Sequence, residues 1–232
     1  LTPMKKYENL KKDFIANVSH ELKTPVAAMK LSLETIEEEC SNNPRATPFI
    51  KKALERVNYM EQLIEDLITL SQLESVDYKL SPVKVKLLPF VRNILKDLSD
   101  FIVQKNLKVE IKIPDSAEVL ADEKMLHAIL KNLIDNAIKY NKDGGKIEIA
   151  FKELKNEYEI SVCDTGRGIP KSHLPFIFER FYRVERSRSR KLGGTGLGLS
   201  IVKLATDRMG GKVEVESEEG KGTCFRIYLP KG

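Results

Sequence analysis

The amino-acid sequence predicts an α+β protein in two parts: an N-terminal antiparallel helical hairpin, which becomes a four-helix bundle when two copies pair, and a C-terminal α/β sandwich with a mixed sheet. Three observations predict it. Apolar residues recur every three or four positions through the first third of the chain. After Asp77 the pattern changes to short alternating runs bounded by turn residues. Those runs are interleaved with helical segments, and several are sequential hairpins, which points to a mixed sheet with helices on one face.

The first helix is expected from about residue 4 to 40. Leu10, Phe14, Val18 and Leu22 fall every fourth position, and Met29, Leu33 and Ile36 continue the stripe. Pro25 removes a hydrogen bond to the Glu21 carbonyl, so a kink is expected there. Residues 41–48 are turn chemistry, rich in Asn, Pro and Ser. A second helix follows over about 49–76, with Leu54, Val57, Met60, Leu63, Ile64, Leu67 and Leu70 apolar. A lone hairpin cannot bury stripes this broad, and a homodimer solves the problem. The two parts are therefore set at residues 1–76 and 77–232.

In the second part Ser81-Pro82 marks a junction. Short strands are expected over 83–87 and 107–113, with a helix over 88–104 between them. Asp122 is placed to cap a helix running to about Tyr140. A hairpin over 146–154 and 158–163 precedes a Gly-rich region. A helix over about 198–209 and a final hairpin, 212–217 with 223–229, close the chain.

Composition narrows the function. The 41% apolar content supports a real core without staples. A net charge of +5, from 39 basic and 34 acidic residues, is too mild to indicate nucleic acid as the partner. No apolar run approaches the roughly 20 residues that cross a bilayer, so this segment is expected to make no membrane contact. The chain opens on Leu1 and enters a helical pattern at once, which reads as a piece of a longer protein. Cys40, Cys163 and Cys224 lack metal-ligand spacing and read as separate thiols in a reducing compartment, with Cys163 and Cys224 as small buried apolar side chains.

Four segments carry chemistry. In Ser19-His20-Glu21-Leu22-Lys23-Thr24-Pro25, His20 and Thr24 share a helical face with Glu21 beside them. A neutral imidazole is a good nucleophile, and a neighbouring carboxylate can orient it and take its proton. An isolated His-Glu pair would be an ordinary surface feature; the adjacent proline and threonine make it a local site. In the helix after Asp122, Asn132, Asn136 and Tyr140 share a face, with Lys139 beside it. Asparagine is a poor interior helix former, so two on one face need a reason. Their amide oxygens suit Mg²⁺, and Lys139 can reach a phosphate. Asp164-Thr165-Gly166-Arg167-Gly168 puts a carboxylate at a strand end before two glycines, where it can accept a hydrogen bond from an exocyclic amine such as that of adenine. A capped tight turn explains that segment about equally well. Gly194-Thr195-Gly196-Leu197-Gly198 opens a helix and resembles a phosphate cradle. It is neither the dinucleotide fingerprint nor a Walker loop. Between the last two segments, Phe178 to Arg183 and the basic stretch Arg186, Arg188, Arg190 and Lys191 suit a nucleic-acid contact or a mobile lid; the Gly-rich flank and the interleaved serines favour the lid, while Arg188 and Arg190 individually read as solvated loop residues.

The order and spacing of these segments resemble those of the histidine kinase family, with its phospho-accepting box and its N, G1, F and G2 boxes, over essentially the whole chain. The resemblance implies ATP and Mg²⁺ as cofactors. It implies His20 as the phospho-accepting nucleophile, Glu21 as its acid–base partner, and Thr24 positioning water in a phosphatase reaction. Asn136 would ligate Mg²⁺ with Asn132 nearby, while Lys139 and Arg183 would bind phosphates. Asp164, Gly166 and Gly168 would form the adenine pocket, and Gly194, Gly196 and Gly198 the lid hinge. A response regulator receiver domain would take the phosphoryl group, and a membrane anchor would lie outside this cytoplasmic segment. Two rivals stay open: an ATPase of the gyrase or chaperone type, disfavoured because Asn132 stands where a water-activating carboxylate is needed, and a nucleotide-binding dimeric scaffold.

Overall fold

The computed structural model describes residues 3–40, 43–75, 77–184 and 194–231, and in the first helix the side chains of Ser19 and of Glu21 onward. Its elements fall into two compact units. One holds the described residues up to Tyr78 together with residues 194–197, and the other holds Lys79–Val184 and the described residues from Gly198 on.

The first unit is a hairpin of two long helices, α1 (Pro3–Glu39) and α2 (Thr47–Glu74). The helix α1 runs through Pro25 as one element. Val26 on α1 packs with Val57 and Ile64 on α2, and Leu33 and Ile68 extend the cluster. Val26 and Leu33 are one heptad apart, as are Val57 and Ile64, so a single seam on each helix faces the other. Lys30 bonds Glu61 at 2.8 Å, and Lys23 approaches Glu65 at 3.7 Å, along the rim of that seam. A second heptad line on α1 stays uncovered: Leu22, Met29 and Ile36 are 44%, 44% and 42% exposed.

The second unit begins with β1 (Pro82–Lys86), α3 (Leu87–Asp97), the short helix α4 (Ser99–Gln104), β2 (Lys108–Lys112) and β3 (Glu118–Asp122). It continues with α5 (Glu123–Lys139), β4 (Lys146–Glu153), β5 (Glu157–Asp164), a 3₁₀ turn (Leu174–Phe176), α6 (Gly198–Arg208), β6 (Lys212–Glu218) and β7 (Gly222–Pro230). Five strands form one sheet in the order β2-β4-β5-β7-β6. All neighbours are antiparallel except β2 and β4, which run parallel, so the sheet is mixed. The strands β1 and β3 form a separate antiparallel pair.

Alternation builds the core. Ile147 and Ile149 on β4, Ile160 and Val162 on β5, and Phe225, Ile227 and Leu229 on β7 are all buried, at every second position of their strands. The helices α5 and α6 pack on each other and on the sheet. On α5 the buried residues fall in adjacent pairs repeating every four: Met125 and Leu126, Ile129 and Leu130, Leu133 and Ile134, Ala137 and Ile138. Asp122 caps this helix as expected, accepting from the Met125 amide at 3.1 Å. Its other oxygen accepts from the Ser81 amide, which ties the start of the unit to the same cap.

Three expectations are corrected. The helix expected over 88–104 breaks at Leu98, whose φ of −104° and ψ of 9° separate α3 from α4. The strand β3 exists where none was expected. Cys163 and Cys224 are not separate buried thiols: they face each other in the β5–β7 register, are half-buried and form a disulfide.

Candidate functional site

In the second unit the sequence motifs converge on the C-terminal half of α5. The buried pairs of that helix fix its rotation, so the opposite stripe, Asn132, Asn136 and Tyr140, is held half-buried at the edge of the core. The Nδ2 of Asn132 donates to the Ala128 carbonyl at 2.8 Å, and its Oδ1 is turned toward α6. That oxygen lies against Gly198 at the first turn of α6, where a Cβ would come within 2.4 Å of it. The absent Cβ at Gly198 brings the first turn of α6 close beside the asparagine stripe. Lys139 pairs with Asp135 at 2.6 Å.

The loop after β5 closes on the end of α5. Gly166 packs so tightly that a Cβ would lie 2.3 Å from the Tyr140 carbonyl, and the Arg167 amide donates to that same carbonyl at 3.2 Å. The Arg167 guanidinium stacks 4.6 Å above the Tyr140 ring. Gly168 takes a φ of +69°, and a Cβ there would strike the Glu218 carbonyl. Asp164 is held from two sides, by the Gly166 amide at 2.8 Å and by the amide of Thr223, its partner on β7. Burial pushes its carboxyl pKa up from the ordinary value, and the two amide bonds oppose that shift in part. A carboxylate sunk in this way is a directional acceptor with a high cost for being left unmet.

The remaining residues are placed as follows. Phe176 and His173 both approach Tyr182, whose hydroxyl is 2.6 Å from His173 Nδ1, and this cluster precedes the half-buried Arg183. Arg186, Arg188, Arg190, Lys191 and Gly193 lie outside the described residues. In the first unit, Thr195 Oγ1 donates to Asp66 and accepts from the Leu197 amide at 3.2 Å, while Gly196 takes a φ of +78°. Leu197 is fully buried, and Gly194 is half-buried. His20 lies on α1, with its side chain outside those described. Glu21 and Thr24 are exposed on the same helix.

The site residues picked from the sequence explain only in part how the end of α5 is held. Lys105, Asn141 and Thr165 do the rest. Thr165 Oγ1 accepts from the Lys146 amide at 2.8 Å, and Asn141 Nδ2 donates to the Lys146 carbonyl at 3.1 Å. Their partners are main-chain groups, which leave no mark in a pattern of side chains. No group of three or more His, Cys, Asp or Glu side chains gathers as a metal site among the described residues. The amide oxygens of the asparagine stripe are hard donors of the kind Mg²⁺ takes together with phosphate and water, so the residues fit that ion.

Comparison with known proteins agrees with this geometry. Residues 10–76 match the family described as His Kinase A (phospho-acceptor) domain. Residues 121–232 match the histidine kinase-, DNA gyrase B-, and HSP90-like ATPase family. The chain is 36% identical to the sensor histidine kinase WalK of Bacillus subtilis, over 99% of this chain and 38% of that protein. It is 35% identical to the phosphate regulon sensor protein PhoR of Pseudomonas aeruginosa, over 99% of this chain and 52% of that one. The chain thus spans between about a third and a half of these relatives. Among solved structures, full-length ShkA in complex with AMPPNP superposes with a TM-score of 0.72 at 26% identity, covering 94% of this chain and 45% of that one. The histidine kinase AdeS of Acinetobacter baumannii gives 0.66 at 26% identity, covering 92% and 98%. A helical phospho-acceptor segment followed by an ATPase fold, in one chain and in this order, places the protein in the sensor histidine kinase family of two-component systems.

Proposed function

We propose that this chain is the catalytic core of a sensor kinase, divided near residue 76 into a phosphotransfer hairpin and a nucleotide-binding domain. It binds ATP and Mg²⁺ in the second part and phosphorylates His20 in the first. The observation that carries the reading is the convergence of Asn132, Gly198, Gly166 and Tyr140 around one end of α5, next to a buried acceptor at Asp164. Asp164 would accept from the adenine amine, with Gly166 and Gly168 giving the base room. The α6 amides at Gly198, with Lys139 and Arg183, would face the phosphates, and Gly194, Gly196 and Gly198 would form the hinge of the lid. Asn136 would ligate Mg²⁺, with Asn132 adjacent. That ion supplies charge neutralisation on the triphosphate.

In the reaction a ring nitrogen of His20 attacks the γ-phosphorus. A P–N bond forms, the bond to the bridging oxygen breaks, ADP leaves, and the imidazole proton passes to Glu21. Phosphoryl transfer needs alignment and charge offset more than covalent help, which suits a site made of amides and cations. The phosphoryl group then passes to an aspartate of a response regulator receiver domain. Thr24, one helical turn from His20, would position water for the reverse duty of dephosphorylating that regulator. The full protein would carry a membrane anchor outside this cytoplasmic segment; no helix of the described residues is long and apolar enough to be one.

The test is incubation with γ-labelled ATP and Mg²⁺. Label that survives alkali, is lost in acid and maps to the peptide holding His20 supports the reading. ATP hydrolysis with no protein-bound label would instead favour a gyrase-type ATPase.

The uncovered line Leu22, Met29 and Ile36 supports a homodimer through the hairpin. Met29→Glu buries a charge in that seam, which is costly unless paired. Sedimentation should show a shift from dimer to monomer, and an unchanged dimer would place the interface elsewhere.

A further inference from the structure

Four consecutive carbonyls, Ile138 to Asn141, stand at the end of α5 and just beyond it, where a helix runs out of amides; that of Ile138 also accepts from the Asn141 amide at 3.4 Å. The Tyr140 carbonyl takes the Arg167 amide. The other three converge on one group. Lys105 Nζ donates to the carbonyls of Ile138 at 2.9 Å, Lys139 at 2.7 Å and Asn141 at 3.3 Å. All three ammonium hydrogens are thereby directed at main-chain oxygens, in the place where a helix favours a cation.

Lys105 is itself held in position. It follows α4, and the next residue, Asn106, takes a left-handed φ of 54° that turns the chain into β2. The Lys105 carbonyl accepts from the Gly144 amide at 2.8 Å, and the Lys108 amide donates to the Gly145 carbonyl at 2.9 Å. Its backbone and side chain thus both grip the connection from α5 to β4. The ammonium is half-buried, and burial lowers its pKa from the ordinary value, so its position has an electrostatic cost that the three carbonyls offset. A surface lysine placed only for solubility has no such arrangement.

We propose that Lys105 is a positioning residue for the nucleotide: by gathering the carbonyls of Ile138, Lys139 and Asn141 it sets the last turn of α5, and through it the Lys139 and Tyr140 side chains and the seat of the Gly166 loop. The inference rests on the nucleotide-binding reading given above. The connection runs through contacts already described, since Gly166 and Arg167 both rest on the Tyr140 carbonyl that stands among the three Lys105 partners. Lys105 touches no nucleotide in this scheme. It fixes the wall against which the nucleotide is bound.

The experiment measures Mg²⁺·AMPPNP affinity by calorimetry, and backbone amide exchange, in wild type, Lys105→Met and Lys105→Arg. Lys105→Met should weaken affinity about tenfold, in line with the loss of charge-assisted bonds to three carbonyls. Exchange should quicken at Asn141–Gly145 and Arg167 but stay unchanged at Ile149 and Ile160 in the sheet. Lys105→Arg keeps a cation that can donate to the same carbonyls and should recover most of the affinity. Unchanged affinity in Lys105→Met overturns the proposal. So does a uniform rise in exchange across the sheet, which marks a general structural role, and so does an arginine variant as weak as the methionine one. If Lys105→Met fails to fold, Lys105→Gln is read by the same criteria. A wild type that binds no AMPPNP would overturn the nucleotide reading instead, which keeps the two failures apart.

Discussion

His20→Gln is expected to eliminate alkali-stable label from γ-labelled ATP while leaving the Kd for AMPPNP within about twofold of wild type. Two facts separate the effects. His20 sits on α1 in the hairpin unit, whereas Asn132, Asn136, Asp164 and Gly198 all belong to the other unit. Glutamine keeps a polar, helix-compatible side chain, so α1 should persist. It has no nitrogen basic enough to form a stable P–N bond. Label that persists would move the acceptor to another residue. Loss of both label and binding would mean the substitution acts on the fold and would leave His20 without an assigned role.

Asp164→Asn should have the reverse signature. On the proposed reading its carboxylate would accept from the adenine amine, and asparagine can place a donor there instead. A donor facing a donor in a buried site costs about 2–3 kcal/mol, so nucleotide affinity should fall on the order of 100-fold. Stability should not fall with it. Burial raises the pKa of Asp164 in the folded state, so its contribution to folding is greatest below the unfolded pKa and is lost as pH rises through the folded one. Near neutral pH the ionised group therefore opposes the fold. Asparagine cannot ionise, and its oxygen can still accept from the Gly166 amide. The melting temperature of the variant, taken without nucleotide, should equal or exceed that of wild type at pH 7. The gap should close as pH is lowered through the raised pKa. A variant that melts much lower at pH 7 would show that the carboxylate serves the fold and would remove the case for a functional burial.

Much of this was legible in the sequence, where local pattern carries the information. The core face of α5 at Leu133, Ile134, Ala137 and Ile138 and the cap at Asp122 follow from periodicity and one carboxylate. Gly166 reads in the sequence as a close-approach glycine for a ligand and Gly198 as part of a phosphate cradle; the protein surfaces they meet, the Tyr140 carbonyl and Asn132, do not show there. What escaped depends on distant partners. The strand β3 is Glu-Val-Leu-Ala-Asp, a weak strand former by itself, and it exists by pairing with β1 some forty residues earlier. The break at Leu98 has neither Gly nor Pro to announce it. Cys163 and Cys224 meet because β5 and β7 are neighbours, a register no spacing rule supplies. Lys105 is one of many lysines until its three oxygen partners, more than thirty residues away, are brought to it.

The paired burial along α5 limits how this protein can change. Asn132, Asn136 and Tyr140 are flanked by side chains locked in the core, so the helix can neither rotate nor slide without exposing a whole layer of Leu and Ile. Mutations that retune ligand preference would therefore be tolerated mainly on the loops that close over the helix. An attempt to redesign the pocket should randomise residues 165–168 and the lid flanks, and treat α5 as fixed scaffold.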